Sequence, residues 1–405
     1  MIYHDKPTSV GMENALKRAA QLREIRWTPV AKLPMTSRFD RKQTTGTPYS
    51  YYQTWKPQNG IPYSSVSVAE KFVGFNVSLE TYITALANPE GVLYHKNLTG
   101  TRARTTSWYG SVCSVYVGYV LDLPCRRVCR RWGTFGDMEY IGPVLAAQDI
   151  KLCDILCNDH HVGIVTDVAR DVNGTVVAVT VSECTPPKVL SVEYSPEELY
   201  HCWLKKYEVF RYLYIDKVPY VPSPYIHLEG DPDLPVPPVN KVLLPDYGNK
   251  ANYAMGEAVE LNVMAEGWET LCIQKDGQTV FTAPIAGPGV ISWTPETAGR
   301  YTAYCEKAGA QSDPVEFAVT EIHNTAVVRG DTAEVTMDCK DKVLCCMLSK
   351  KPDFETVYYH NLTEEESAAR KVLMTGLIPG EYTLKTIAVN DFGQYMSPLT
   401  EITVE

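Results

Sequence analysis

The chain has 405 residues, 45% hydrophobic and 21% charged, with a formal net charge of −10. This length fits two or three domains, and the acidic balance gives no reason to expect a nucleic-acid partner. No apolar run reaches the roughly 18 residues of a membrane-spanning helix, and Met-Ile-Tyr-His-Asp-Lys-Pro at the N-terminus has no basic segment followed by an apolar core, so no signal peptide is visible.

Taken in chain order, residues 11–24 place Ala15, Leu16, Ala19, Ala20 and Leu22 at helical spacing and predict a helix. Residues 27–65 are rich in Thr, Pro, Tyr and Gln and read as irregular. A helix is expected over 77–87, capped by Ser78 and stopped by Asn88-Pro89. A further helix begins at Cys113 and runs to about Leu121. From Ile155 the pattern turns to β: Val162–Val168 and Thr175–Ser182 read as strands of a hairpin with Asn173-Gly174 in its turn, and Tyr207–Tyr214 as another strand. Eight prolines follow (Pro219, Pro222, Pro224, Pro232, Pro235, Pro237, Pro238 and Pro245), a composition typical of a semi-rigid linker.

Beyond that stretch, short β-type runs recur in two sets, the usual rhythm of β-sandwiches. The first set is Ala258–Met264, Thr270–Lys275, Thr279–Thr282, Val290–Thr294, Gly299–Glu306 and Val315–Val319. Its segment 295–305 resembles the tyrosine-corner region of immunoglobulin-like folds, and Cys272 and Cys305 are candidates to bridge its sheets. The second set is Ala326–Met337, Val343–Leu348, Glu355–His360, Arg370–Gly376, Gly380–Asn390 and Leu399–Val404. Its segment 379–393 resembles the penultimate strand and turn of fibronectin type III-like modules.

Two segments carry chemistry. Cys113 lies in Trp-Tyr-Gly-Ser-Val-Cys-Ser-Val-Tyr-Val-Gly-Tyr-Val-Leu, at the start of the expected helix, where free N–H groups and the dipole favour a thiolate and supply oxyanion donors. His161 lies in Cys-Asp-Ile-Leu-Cys-Asn-Asp-His-His-Val-Gly-Ile-Val, at the mouth of a strand, a usual place for a general base. His160 competes with it, and alternation along a strand lets only one of the two face the thiol. The hairpin returns the end of its second strand to the same rim, which makes Glu183 the candidate to orient the imidazole, with Ser182 and Thr185 as fallbacks. The twelve cysteines do not read as a small disulfide scaffold in a chain of this length. Cys125/Cys129 and Cys153/Cys157 have Cys-x3-Cys spacing, which admits zinc but fits simple thiols better.

Four motifs in order resemble NlpC-type cell-wall peptidases and the related CHAP amidases, of the papain-like superfamily. Gly60-Ile-Pro-Tyr63-Ser resembles their Gly-x-Pro-Tyr lead-in, and Val-Cys113-Ser their nucleophile motif. Lys-Leu-Cys-Asp-Ile-Leu with His161-Val-Gly-Ile-Val resembles their Gly-Asp-Leu and His-Val-Gly-Ile segment, and Glu183 falls where CHAP enzymes carry a third catalytic residue. The chain departs from the pattern at Val112, Val115 and Cys153, and in the longer stretch between Tyr63 and Cys113. The resemblance implies Tyr63 as a helper beside the nucleophile.

The expected architecture is an α+β papain-like catalytic domain over residues 1–220, a Pro-rich linker over 221–245, an immunoglobulin-like β-sandwich over 246–320 and a fibronectin type III-like β-sandwich over 321–405. The expected activity is a cysteine peptidase or amidase using Cys113, His161 and Glu183 through a thioester, without metal or cofactor. The resemblance implies peptidoglycan stem peptides as substrate and an extracellular or cell-wall location, reached by a phage-borne or otherwise released enzyme. The sandwiches would bind cell wall or protein. An acyltransferase or transglutaminase-like enzyme on the same residues, or a non-catalytic adhesion protein, are the competing expectations.

Overall fold

Ser9 starts the first helix, α1 (Val10–Glu24), by accepting the Met12 N–H at 3.1 Å, with Glu13 in the first turn and Arg23 in the last to complement the dipole. The computed structural model describes residues 2–31, 54–63, 83, 87, 111–123, 129–236, 242–245, 252–351 and 355–405. The helix expected over 77–87 falls outside these residues except at Ile83 and Ala87, which are helical; Cys125 also lies outside them. The second helix treated below is α2 (Cys113–Val120). The chain divides into two compact units, one ending at Asn240 and one running from Lys241 to Glu405.

The N-terminal unit is organised around antiparallel strands. These are β1 (Tyr3–His4), β2 (Arg26–Trp27), β3 (Gln58–Asn59), β4 (Met138–Gly142), β5 (Ile155–Cys157), β6 (Val162–Arg170), β7 (Val176–Thr185), β8 (Lys188–Tyr194) and β9 (Glu208–Tyr212). Seven of them form one sheet in the order β4-β9-β5-β6-β7-β8, with β1 paired to the far end of β6; β2 and β3 form a separate ribbon. Asp171 closes the β6–β7 hairpin, its carboxylate accepting the N–H groups of Asn173 and Thr175. One core combines Val165, Val168, Val179 and Val181 of the sheet with Leu199 and Trp203.

The α+β papain-like expectation is overturned, because strands occupy 47% of the described residues and helices 16%. The N-terminal unit contributes to that balance with the seven-stranded sheet; its described helical segments besides α1 and α2 are the short ones at 129–135, 147–149, 196–204 and 215–217. The sequence reading credited the helical patterns and passed over β4, β5 and β8. Strand β5 is buried at all three residues, so it shows no alternation to read.

Helix α1 buries polar as well as apolar groups. Arg18 donates to the Tyr119 carbonyl at 2.7 Å, to Asp122 at 3.0 Å and to the Pro219 carbonyl at 3.4 Å, while its guanidinium lies over the Tyr119 ring. Gln21 donates to the Val221 carbonyl and accepts from the Tyr119 hydroxyl, and Asn14 donates to the Val218 carbonyl. The start of the Pro-rich stretch is therefore strapped to α1, and Leu243–Pro245 at its other end pairs as a strand with Leu261–Val263.

The C-terminal unit holds two pairs of facing sheets. In the first, Leu243–Pro245, Val259–Val263 and Gly289–Trp293 form one sheet. Asn252–Ala254, Val315–Thr320, Gly299–Lys307, Thr270–Lys275 and Gln278–Pro284 form the other, with Leu261, Ile273, Tyr301 and Phe317 between them. Cys272 and Cys305 are free. They lie on adjacent strands of one sheet with Leu271 opposite Cys305 and Cys272 opposite Tyr304, so the two side chains emerge on opposite faces and do not bridge the sheets.

In the second module, Ile322–Arg329, Thr332–Cys339 and Lys371–Met374 face a sheet built on Lys342–Lys350 and Gly380–Asn390. The run expected as one strand over 326–337 is a hairpin turning at Gly330-Asp331. Both modules carry the same corner. Tyr301 donates to the Thr297 carbonyl and Tyr382 to the Ile378 carbonyl, each four residues upstream. Two residues before each tyrosine, Gly299 and Gly380 leave room for the stems of Lys275 and Lys350, which a Cβ would meet at 2.6 and 3.1 Å.

Arg18→Ala leaves the Tyr119 and Pro219 carbonyls without their side-chain donor, empties a buried side-chain position and removes the partner of the exposed Asp122 carboxylate. The expected loss is about 2–3 kcal/mol in the N-terminal unit. Urea denaturation of the full chain followed by tryptophan fluorescence should show a lowered midpoint for that unit; an unchanged midpoint would remove Arg18 as the tie between α1, α2 and the strap.

Candidate functional site

The site forms where the N-terminus of α2 meets the rim of the sheet. Residues before the helix are pinned on both sides. The Ser111 N–H donates to the Pro62 carbonyl at 3.0 Å, the Tyr63 N–H donates to the Pro187 carbonyl at 2.7 Å, and the Cys184 thiol donates to the Ser111 carbonyl at 3.2 Å. Helix α2 has Val112 at its N-cap with no side-chain cap, and its first helical bond runs from Tyr116 N–H to the Val112 carbonyl. The N–H groups of Cys113, Ser114 and Val115 therefore precede the helical ladder, at the positive end of the dipole.

His161 stands at the entrance of β6. Asn158 fixes this turn by accepting the N–H groups of both His160 and His161 at 2.9 Å. His160 is exposed, whereas the His161 ring lies between Trp203, with centroids 5.7 Å apart, and the edge of Tyr207. Its Nε2 is hydrogen-bonded to Glu183 Oε2, and its side chain also interacts with the Cys113 thiol. Glu183 pairs in register with Gly163. A Cβ on Gly163 would sit 2.7 Å from the Trp203 ring, so only glycine admits the indole that backs His161.

The structure thus brings together Cys113, His161 and Glu183. Tyr63 arrives by its backbone, as the bridge partner of Ser111 two residues before the thiol. Ser182 does not join: its hydroxyl bonds Tyr116 of α2 at 2.6 Å and Ser191 at 2.8 Å on the face opposite Glu183. Cys153 and Cys157 part company, because Cys153 sits in a turn before β5 with φ 62° while Cys157 is the last residue of that strand. Cys153 lines a cavity of about 590 Å³ with Asp154 and Arg211, whereas Cys157 approaches Cys129. Among the described residues no group of three or more His, Cys, Asp or Glu is arranged to hold a metal ion.

Sequence reasoning missed Cys129. Its Sγ lies 3.7 Å from that of Cys113, and the Cys157 thiol donates to its carbonyl at 3.4 Å. It opens the short helical segment Cys129–Phe135, which has no periodic signal, and only its Cys-x3-Cys spacing marked it. Trp203 and Tyr207 were also missed; they sit at a π-type turn and just beyond it.

Contact with Cys129, then burial, pushes the Cys113 thiol well above the ordinary thiol range, partly opposed by His161. For Cys129 the bond to Cys113 lowers the value, but Cys157 and burial raise it more, to about 12. Burial pulls the His161 imidazolium down, yet its bonds to Cys113 and Glu183 outweigh this and raise it to about 9. Near neutrality the site therefore holds an imidazolium–carboxylate pair beside a protonated thiol pair. Displacing Cys129 from Cys113 removes the largest influence holding that thiol up and leaves the imidazolium to stabilise a thiolate.

No protein-family model and no curated protein sequence matches the chain. Among solved structures it is similar to the human OSCAR ligand-binding domain, at 15% identity and a TM-score of 0.19, covering 40% of this chain and 96% of that one. It is similar to the fibronectin(III)-like modules of Clostridium thermocellum CbhA, at 11% identity and a TM-score of 0.21, covering 38% and 88%. It is also similar to a BSP domain of a biofilm associated protein, at 14% identity and a TM-score of 0.16, covering 38% and 28%. The paired-sheet arrangement of the C-terminal unit rests on its strand pairing rather than on likenesses at this level.

A raised imidazole pKa adds stability that is complete below the unfolded value near 6.5 and is lost as pH rises through about 9. NMR titration of His161 should give a midpoint near 9 in the wild type and a lower one in Glu183→Gln. The variant should also lose the matching part of its stability near pH 7; equal midpoints in the two proteins would show that Glu183 does not hold the imidazolium.

Proposed function

We propose that the N-terminal unit is a thiol hydrolase that cleaves amide bonds, with Cys113 as nucleophile, His161 as general base and acid, and Glu183 as the group that orients and charges the imidazole. The observation that supports this reading is the meeting of these three side chains from α2, the start of β6 and the end of β7, with the thiol at an uncapped helix N-terminus.

As the substrate carbonyl enters, Cys129 is displaced, the Cys113 proton passes to solvent, and the thiolate forms beside the His161 imidazolium. The sulfur attacks the carbonyl carbon, and the oxygen takes the negative charge facing the N–H groups of the first turn of α2. His161 gives its proton to the leaving amine, which departs and leaves a thioester on Cys113. The imidazole then takes a proton from water; the hydroxide cleaves the thioester to a carboxylate and frees the sulfur. Glu183 keeps the ring in one orientation throughout and favours its charged form. No metal enters these steps.

The motifs around Tyr63, Cys113, His161 and Glu183 support a peptide or amide in bacterial peptidoglycan as substrate, and with it a cell-wall or extracellular place of action. The C-terminal modules would then hold the enzyme on the wall or on a protein partner.

Purified peptidoglycan digested with the wild type should release fragments whose new termini, read by mass spectrometry, name the bond cut. Cys113→Ala should release none, and Glu183→Gln should act about 10²-fold more slowly or worse. Fragments released equally by Cys113→Ala would overturn the assignment. The absence of fragments from several wall types, with the thiol inert to iodoacetamide, would favour a binding protein instead.

A further inference from the structure

Two thiols at a hydrolytic centre are one more than the reaction uses. The Cys129 sulfur lies 3.7 Å from the sulfur of Cys113, an ordinary non-bonded contact that a side-chain rotation shortens to the roughly 2.05 Å of a disulfide. The rest of the neighbourhood is suited to the same step. The His161 imidazolium interacts with the Cys113 side chain and favours its thiolate, and the Cys157 thiol donates to the Cys129 carbonyl at 3.4 Å. Cys129 is half-buried, so it is the member of the pair open to a small oxidant, whereas Cys113 keeps only 8% of its surface. Cys184 is excluded from the exchange because its thiol is fully buried and donated to the Ser111 carbonyl.

We propose that Cys113 and Cys129 form a redox-active dithiol, closed to an intramolecular disulfide by small-molecule disulfides and reopened by thiols, so that the site is blocked under oxidising conditions. This deepens the hydrolase reading, on which its regulatory meaning rests. The steps balance as two exchanges. The Cys129 sulfur attacks one sulfur of the oxidant, forming a mixed disulfide and releasing one small thiol, which carries off the Cys129 proton. Cys113 then loses its proton to solvent beside the His161 imidazolium, attacks the Cys129 sulfur and expels the second small thiolate, which takes up a proton from solvent to leave as a thiol. Two S–H bonds are lost from the protein, one S–S bond is made, and the oxidant is reduced to two thiols. With the Cys113 sulfur bonded, no nucleophile remains for an acyl substrate.

The test treats the reduced full-length chain with glutathione disulfide, then blocks remaining thiols with iodoacetamide and maps the peptides by mass spectrometry without reduction. A Cys113–Cys129 cross-linked peptide is expected, with loss of Cys113 alkylation that dithiothreitol fully restores. In Cys129→Ser treated in the same way, Cys113 should stay alkylatable. Cys113 recovered alkylated in the oxidised wild type, or joined to Cys157 rather than Cys129, overturns the proposal. So does protection of Cys113 that persists in Cys129→Ser. The wild-type map stands alone if that variant fails to fold. Because the readout is a bond and not turnover, the disulfide can form in a chain that cleaves no peptidoglycan, or fail to form in one that does. The two failures are thereby distinguished.

Discussion

The register between β6 and β7 is the constraint on which the site depends. Two irregularities set it. One residue is added in β7 between the partners of Ala169 and Arg170, and one in β6 at Thr166, between Val165 and Asp167. The second offsets the first, so that Gly163 faces Glu183 at the rim. Without the extra residue at Thr166 the partner of Gly163 would be Cys184, and the carboxylate would turn to the opposite face. His161 would then lose its hydrogen-bond partner, and the thiol that anchors Ser111 would turn away from it. Neighbouring residues of one strand end thus serve both sides of the site: Glu183 holds the base, and Cys184 holds the segment that delivers the nucleophile.

Around that rim the unit uses buried polar groups as ties. Arg18, Asn14 and Gln21 on one side of α1 close the carbonyls of Tyr119, Val218, Pro219 and Val221. Tyr119 sits in the last turn of α2, so the C-terminal end of the helix that carries Cys113 is held by a cation, the favourable sign for that end of the dipole. The N-terminal end is held by Ser111. A short helix of eight residues fixed at both ends keeps its first residue in place despite having little helical stability of its own.

Much of this was legible in the amino-acid sequence, and the reasons differ by element. The helix over 11–24 showed through its spacing, and the β6–β7 hairpin through Asn173-Gly174. The C-terminal strands showed because half-buried antiparallel strands alternate. The balance of the N-terminal unit was misjudged: β5 is buried at every residue and the burial of β4 and β8 does not alternate, so no period marks them, and the helices were given too much weight. The hairpin at Gly330-Asp331 passed as one strand because alternation runs through both of its arms. Cys113, His161 and Glu183 could be named as individual residues from helix start, strand mouth and hairpin return. Cys129, Trp203 and Tyr207 could not, because they reach the site through short irregular turns whose path is set by tertiary packing.

The joint between the two C-terminal modules is of another kind. Tyr253 belongs to the first core and Ala254, its neighbour on the same strand, to the second. That strand runs parallel to the segment ending at Thr320, and the side chains of Asn252, Thr320 and Asn390 bond one another across the seam. These are neutral groups. Beside them the exposed Arg300 of the first module reaches Asp391 at 3.9 Å and the Phe392 ring of the second, a charged contact that salt screens, while two cores meeting within one strand leave no free swivel. Pull applied to one module is therefore handed to the next through shared backbone rather than through a hinge.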